Sequence, residues 1–68
     1  MKNNIRIEIG MRMRQLRQEN GLTIEEAAHS AGVHPNYLGE EERGMKNFSI
    51  ATIEKIAMAL GVPVSEMF

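Results

Sequence analysis

Glu26 and His29 are the first pair in this 68-residue chain whose types and spacing could hold a metal, one helical turn apart at i and i+3. One such pair makes no metal site without ligands from other helices. His29 and His34 stand five apart, a spacing that converges on nothing. The six methionines, Met11, Met13 and Met58 among them, suit adaptable packing better than a cofactor box. No catalytic constellation emerges, so no enzyme, cofactor or metal is expected. What remains is the stretch NYLGEEERG, residues 36–44, with Glu40, Glu41 and Glu42 in a row before Arg43. Three consecutive carboxylates would repel any anionic partner of that segment, and their purpose needs explaining.

The elements that position these residues must come from one small domain, near the lower limit at which a single core holds a chain together. Without cysteine, neither a disulfide nor a thiolate-bound metal can staple it. Efficient helix packing or oligomerisation must serve instead. No apolar run approaches the roughly 20 residues that span a bilayer, and no signal-peptide pattern opens the chain, so a soluble, cytoplasmic protein without a membrane partner is expected. The net charge of −1 is unevenly spread. Residues 1–20 set Lys2, Arg6, Arg12, Arg14 and Arg17 against Glu8 and Glu19, a balance of +3. Residues 21–44 set Arg43 against Glu25, Glu26, Glu40, Glu41 and Glu42, a balance of −4, and residues 45–68 are neutral. Any surface for a polyanion must be assembled locally.

Helix punctuation is clear. In GLTIEEAAHSAG, Thr23 and Glu26 form a capping box and Gly32 closes the helix. In VHPNYLGEEERG, Pro35 fits a first turn, where its missing N–H costs nothing, and Gly44 ends the element. In FSIATIEKIAMALG, Ser49 is a good N-cap, Ile53, Ile56, Ala57 and Leu60 form one stripe, and Gly61 follows. The segment from residue 5 carries Ile9, Met13 and Leu16 at helical spacing. Ile5, Ile7 and Ile9 alternate as a strand would, but with no partner strand in view a helix from about residue 5 is expected, leaving Ile7 exposed to cover a partner. VPVSEMF reads as a fifth helix of barely one turn. A compact, all-α, five-helix domain over residues 1–68 follows.

The second and third helices, joined by a tight glycine-containing turn, have the spacing of a helix-turn-helix over about residues 23–43. Here the sequence resembles a known family. IGMRMRQLRQENGLT, AAHSAGVHPNYLGEEERG and IATIEKIAMALGVPVSEMF are similar to the Xre-type, lambda-repressor-like helix-turn-helix domain of phage repressors and of restriction–modification controller proteins. The likeness spans about residues 8–68 and keeps Arg17, Gly21, Leu22, Ala28, Gly32, Val33, Leu38, Glu42, Gly44, Ile56, Ala57 and Leu60 in register.

The resemblance implies roles. Arg17 and Glu42 would pair, linking the third helix to the first, through a guanidinium that grips a carboxylate bidentately. Glu41 stands where relatives carry an aliphatic residue. A lone buried carboxylate is costly, so either the third helix is turned slightly or Glu41 reaches the rim to meet an arginine such as Arg14. His34, Pro35, Asn36 and Tyr37 would meet base edges. Asn36 can pair with adenine, or be an ordinary first-turn residue. His34 can instead cap the helix, and Tyr37 can pack on the core edge or offer its hydroxyl to a phosphate. Glu40 either accepts from cytosine N4 or is a solvated face. Arg43, Lys46 and Asn47 match the place where relatives clamp the DNA backbone, and Thr23 opens a helix whose amides can receive a phosphate. Ile24, where many relatives place a phosphate-binding glutamine, departs from the pattern.

Together these imply a sequence-specific regulator of transcription, bound as a homodimer to a palindromic operator in double-stranded DNA. Val62, Val64, Met67 and Phe68 would form the dimer face, or else close the monomer. The acidic middle third and Ile24 keep open a rival: a protein-interaction module or antitoxin-like subunit with a protein partner and weak DNA binding.

Overall fold

Asn4 starts the first helix by accepting a hydrogen bond from the Arg6 amide at 3.0 Å. In the computed structural model, which describes residues 4–46 and 49–68, this helix, α1, runs over Ile5–Glu19. In this helix Ile5 and Ile9, i and i+4, share a face, and Ile7 points to the other side. Ile9 is buried, whereas Ile5 and Ile7 are exposed. Among the described residues there is no strand.

Three further α-helices follow: α2 over Ile24–Ala31, α3 over Pro35–Glu42 and α4 over Ile50–Leu60. Each begins where a side chain satisfies amides that the helix cannot. The Thr23 hydroxyl accepts from the Glu26 amide at 3.0 Å, and the Glu26 carboxylate accepts from the Thr23 amide at 2.9 Å. His34 Nδ1 accepts from the Asn36 amide at 3.1 Å, and Ser49 Oγ accepts from the Thr52 amide at 3.1 Å. Between α2 and α3, Gly32 takes φ +73°, a left-handed conformation that a β-carbon would strain. It lets the chain turn from α2 into α3 within three residues.

The core gathers Ile9, Met13 and Leu16 of α1, Leu38 of α3, and Ile53, Ile56, Ala57 and Leu60 of α4. From α2 come Ala27, Ala28 and Ala31, whose small side chains let that helix lie close to both α3 and α4. The expected fifth helix is a single 3₁₀ turn over Val64–Met67, packed on α1 and α4. It is fastened by Arg12, whose Nε donates to the Glu66 carbonyl at 2.7 Å and whose Nη2 donates to the Glu66 carboxylate at 2.8 Å. This clasp turns Met67 inward. At 1 % exposure Met67 belongs to the monomer core, which corrects its expected place on a dimer face. Val62 and Val64 are half-buried against the same core, and Phe68 is exposed.

Candidate nucleic-acid interface

On α3, residues at i, i+4 and i+7 share a face. Asn36, Glu40 and Arg43 are such a set, and with Gly39 they border a cleft of about 530 Å³ whose far side is the start of α2, Thr23, Ile24 and Glu25. Pro35 and Arg17 complete the lining. The Arg43 guanidinium lies over Gly39, 3.5 Å from where a β-carbon would stand, an ordinary contact distance. Thus α3 presents an amide, a carboxylate and a cation along one stripe, beside the opening turn of another helix.

The three glutamates have three fates. Glu42 receives Arg17 Nε at 2.7 Å and Nη2 at 3.0 Å, a bidentate grip between α3 and α1, while Arg17 Nη1 donates to the Leu22 carbonyl at 2.8 Å. The hydrogen bond to Glu42 holds the guanidinium above its ordinary pKa against the opposing cost of burial. Glu40 is partly exposed and faces Lys46 at 3.6 Å, a loose surface pair worth well under about 1 kcal/mol. Glu41 neither reaches the rim nor meets Arg14. It is fully buried, and among the described residues neither of its oxygens has a hydrogen-bond partner. Burial raises its carboxyl to about 7; the Tyr37 hydroxyl is close enough to oppose this slightly without completing a hydrogen bond. Only one carboxylate of the run therefore faces solvent, and a lysine stands beside it.

The other expected contacts divide. Asn36 and Arg43 are exposed on the cleft, and Lys46 is exposed just beyond it. His34 is exposed but spends Nδ1 on the helix cap, which leaves the proton on Nε2 as its outward donor. Pro35 and Tyr37 are half-buried, and the Tyr37 hydroxyl lies toward Glu41. Thr23 has its hydroxyl and its amide engaged in the capping box, so any phosphate at this helix start would meet the next amides, beside Glu25. Asn47 lies outside the described residues.

Sequence reasoning missed Gly10. A β-carbon there would strike the Glu41 carbonyl oxygen and approach the Glu42 carbonyl oxygen to 2.7 Å, so α1 and α3 touch backbone to backbone at this point. The signal was a lone glycine inside an otherwise helical pattern, which often marks close approach. This contact and the Arg17–Glu42 pair together set the pose of α3.

Known proteins share this fold. Residues 13–67 match the family described as Helix-turn-helix. The control protein C.BamHI of Bacillus amyloliquefaciens is 38 % identical over 68 residues, covering 98 % of this chain and 84 % of that one. The crystal structure of the restriction–modification controller protein C.AhdI from Aeromonas hydrophila superposes with a TM-score of 0.90 at 39 % identity, over 91 % of this chain and 94 % of that one. The structure of SinR, a master regulator for biofilm formation, in complex with DNA superposes with a TM-score of 0.82 at 40 % identity, over 87 % of this chain and 95 % of that one. With the fold, the helix-turn-helix and the register all shared, this chain belongs to the Xre-type helix-turn-helix family, among relatives that include restriction–modification controller proteins.

Proposed function

We propose that the chain is a cytoplasmic, sequence-specific DNA-binding regulator of transcription that acts as a homodimer on a palindromic operator. The observation that carries this is the exposed Asn36–Glu40–Arg43 stripe on α3, from which two of the three neighbouring carboxylates have been withdrawn. In a major groove Asn36 reads a base, with His34, Pro35, Tyr37 and Glu40 around it; Arg43, Lys46, Asn47 and the head of α2 at Thr23 hold phosphates. The relative solved with DNA supports this use of the fold. A single module this small makes too few contacts for tight specific binding, so two copies related by a dyad are required. Exposed Phe68 with half-buried Val62 and Val64, and exposed Met58 of α4, supply apolar surface for the second copy, with Met67 inside the monomer.

Selecting bound sites from a random duplex pool tests the proposal, and two-fold symmetric sites are expected. On the selected site Asn36→Ala should weaken binding by about 1–3 kcal/mol while leaving affinity for random duplex unchanged. Equal losses on both would show that Asn36 reads no base. Binding should also weaken with salt, log K falling against log salt by about 0.9 per phosphate contact. The rival reading, a protein-interaction module, has Ile24 and the Glu25 carboxylate at the cleft in its favour. No duplex binding at about 50 mM salt, where phosphate contacts are strongest, would establish it over DNA recognition.

A further inference from the structure

Among the described residues, Glu41 is the one buried polar side chain without a hydrogen-bond partner, and the proposed function does not use it. Its side chain is fully enclosed, and among the described residues neither carboxylate oxygen is hydrogen-bonded. It sits where α3 meets α1 most closely, since its own carbonyl oxygen is the atom that a β-carbon at Gly10 would strike. An ionised carboxylate in such a place has lost its water and has only the nearby Tyr37 hydroxyl to oppose that loss, whereas the neutral acid loses far less.

The charged groups around it do not rescue the ion. From α1, the Arg17 guanidinium is committed to Glu42 and to the Leu22 carbonyl. Arg6, half-buried one turn before Gly10, makes no hydrogen bond to Glu41, and Arg14 is exposed. From α2, which packs on the other side of α3, Glu25, Glu26 and His29 are all exposed and offer no buried cation. On α3 itself Tyr37 lies one turn earlier, and Glu42 already has its arginine.

We infer that the seating of α3 on α1 is linked to a proton on Glu41: the neutral acid is stored in the contact, and its ionisation loosens the helix that carries Asn36, Glu40 and Arg43. The direction follows from burial. The carboxyl titrates near 7 in the folded chain against 4.5 for an ordinary glutamate. The folded state therefore holds this proton more tightly than the unfolded state. Through this group stability is greatest below about pH 4.5, falls as pH rises toward 7, and is flat beyond. Every pH unit that separates the folded midpoint from the unfolded one is a tenfold factor, so the folding equilibrium should lose on the order of 100-fold across that interval. The outer stripe of α3 would lose its fixed pose in the same interval, with an effect on duplex binding that rests on the function proposed above.

The experiment reads folding first and DNA second, so that the two proposals can fail separately. Urea unfolding of the full chain, Glu41→Gln and Glu41→Leu is followed from pH 5 to pH 8.5, with the carboxyl carbon of Glu41 titrated by NMR in the unsubstituted protein. The expected result is a Glu41 midpoint well above that of the other glutamates. The folding equilibrium of the unsubstituted chain should fall on the order of 100-fold relative to both variants as pH rises. Amide protection of α3 should fall with it. A midpoint near 4.5, or pH profiles parallel in all three proteins, would overturn the inference whether or not the chain binds DNA. If the folding arm succeeds, duplex affinity of the unsubstituted chain should drop between pH 6 and 8 more than that of Glu41→Leu. Equal pH dependence of binding in the two proteins would overturn the coupling of this proton to the α3 surface.

Discussion

Replacing Arg17 with alanine should destabilise the domain by about 3–5 kcal/mol, because it strands a buried carboxylate. The Glu42 side chain is only 5 % exposed and takes both of its strong hydrogen bonds from this guanidinium. The same substitution leaves the Leu22 carbonyl without its donor. Domains of this kind hold about 5–15 kcal/mol in total, so a large fraction of Arg17→Ala should be unfolded at 37 °C. Arg17→Lys should fall between, since an ammonium restores charge but cannot make the parallel pair of bonds. Removing both partners tests the cause. Arg17→Ala with Glu42→Leu should recover part of the loss, as the buried charge is gone. Urea unfolding followed by circular dichroism measures all three. A change below about 0.5 kcal/mol for Arg17→Ala would mean that the buried pair is not what holds α3 to α1.

Gly10→Ala should also destabilise, which is opposite in sign to what its place in a helix suggests. Glycine to alanine inside a helix normally gains about 1 kcal/mol. Here the new methyl would overlap the Glu41 carbonyl oxygen and stand 2.7 Å from the Glu42 carbonyl oxygen and 2.9 Å from its carbon. These are backbone atoms of a packed helix, and no rotamer change moves them aside. The helices must separate, disturbing Arg17–Glu42 and uncovering Glu41, so a net loss of about 2–3 kcal/mol is expected. Gly10→Val should be worse. If Gly10→Ala raised the unfolding midpoint, α1 and α3 would have to be further apart than described above.

The same two helices show what could and could not be read from the sequence. Helix starts and stops were legible, because the Thr23–Glu26 box, the Ser49 cap and Gly32 act on neighbouring amides and leave a local pattern. The stripe Ile53, Ile56, Ala57 and Leu60 was legible for a similar reason, since period alone assigns its face, whereas the alternation of Ile5, Ile7 and Ile9 fitted a strand as well as the helix they form. The Arg17–Glu42 contact was reached only through family resemblance, since nothing local couples residues 25 apart. Glu41 was left between a turned α3 and a place at the rim, because the cost of burying a carboxylate argued for one or the other. The packing of α3, pinned at Gly10 and Glu42, overrode that preference. Met67 was misplaced because an apolar residue on a one-turn helix looks unfinished until the Arg12–Glu66 clasp is seen to fold it inward.

That clasp joins residues 54 apart, and the methionine next to it is buried in the core. A ribosome releases α1 first, yet neither Arg12 nor the apolar side of α1 has its full set of neighbours until residue 67 has emerged from the exit tunnel. Its last contacts close late: α1 can meet α3 and α4 beforehand, but the patch of it that receives Val64–Met67 stays uncovered until that turn arrives.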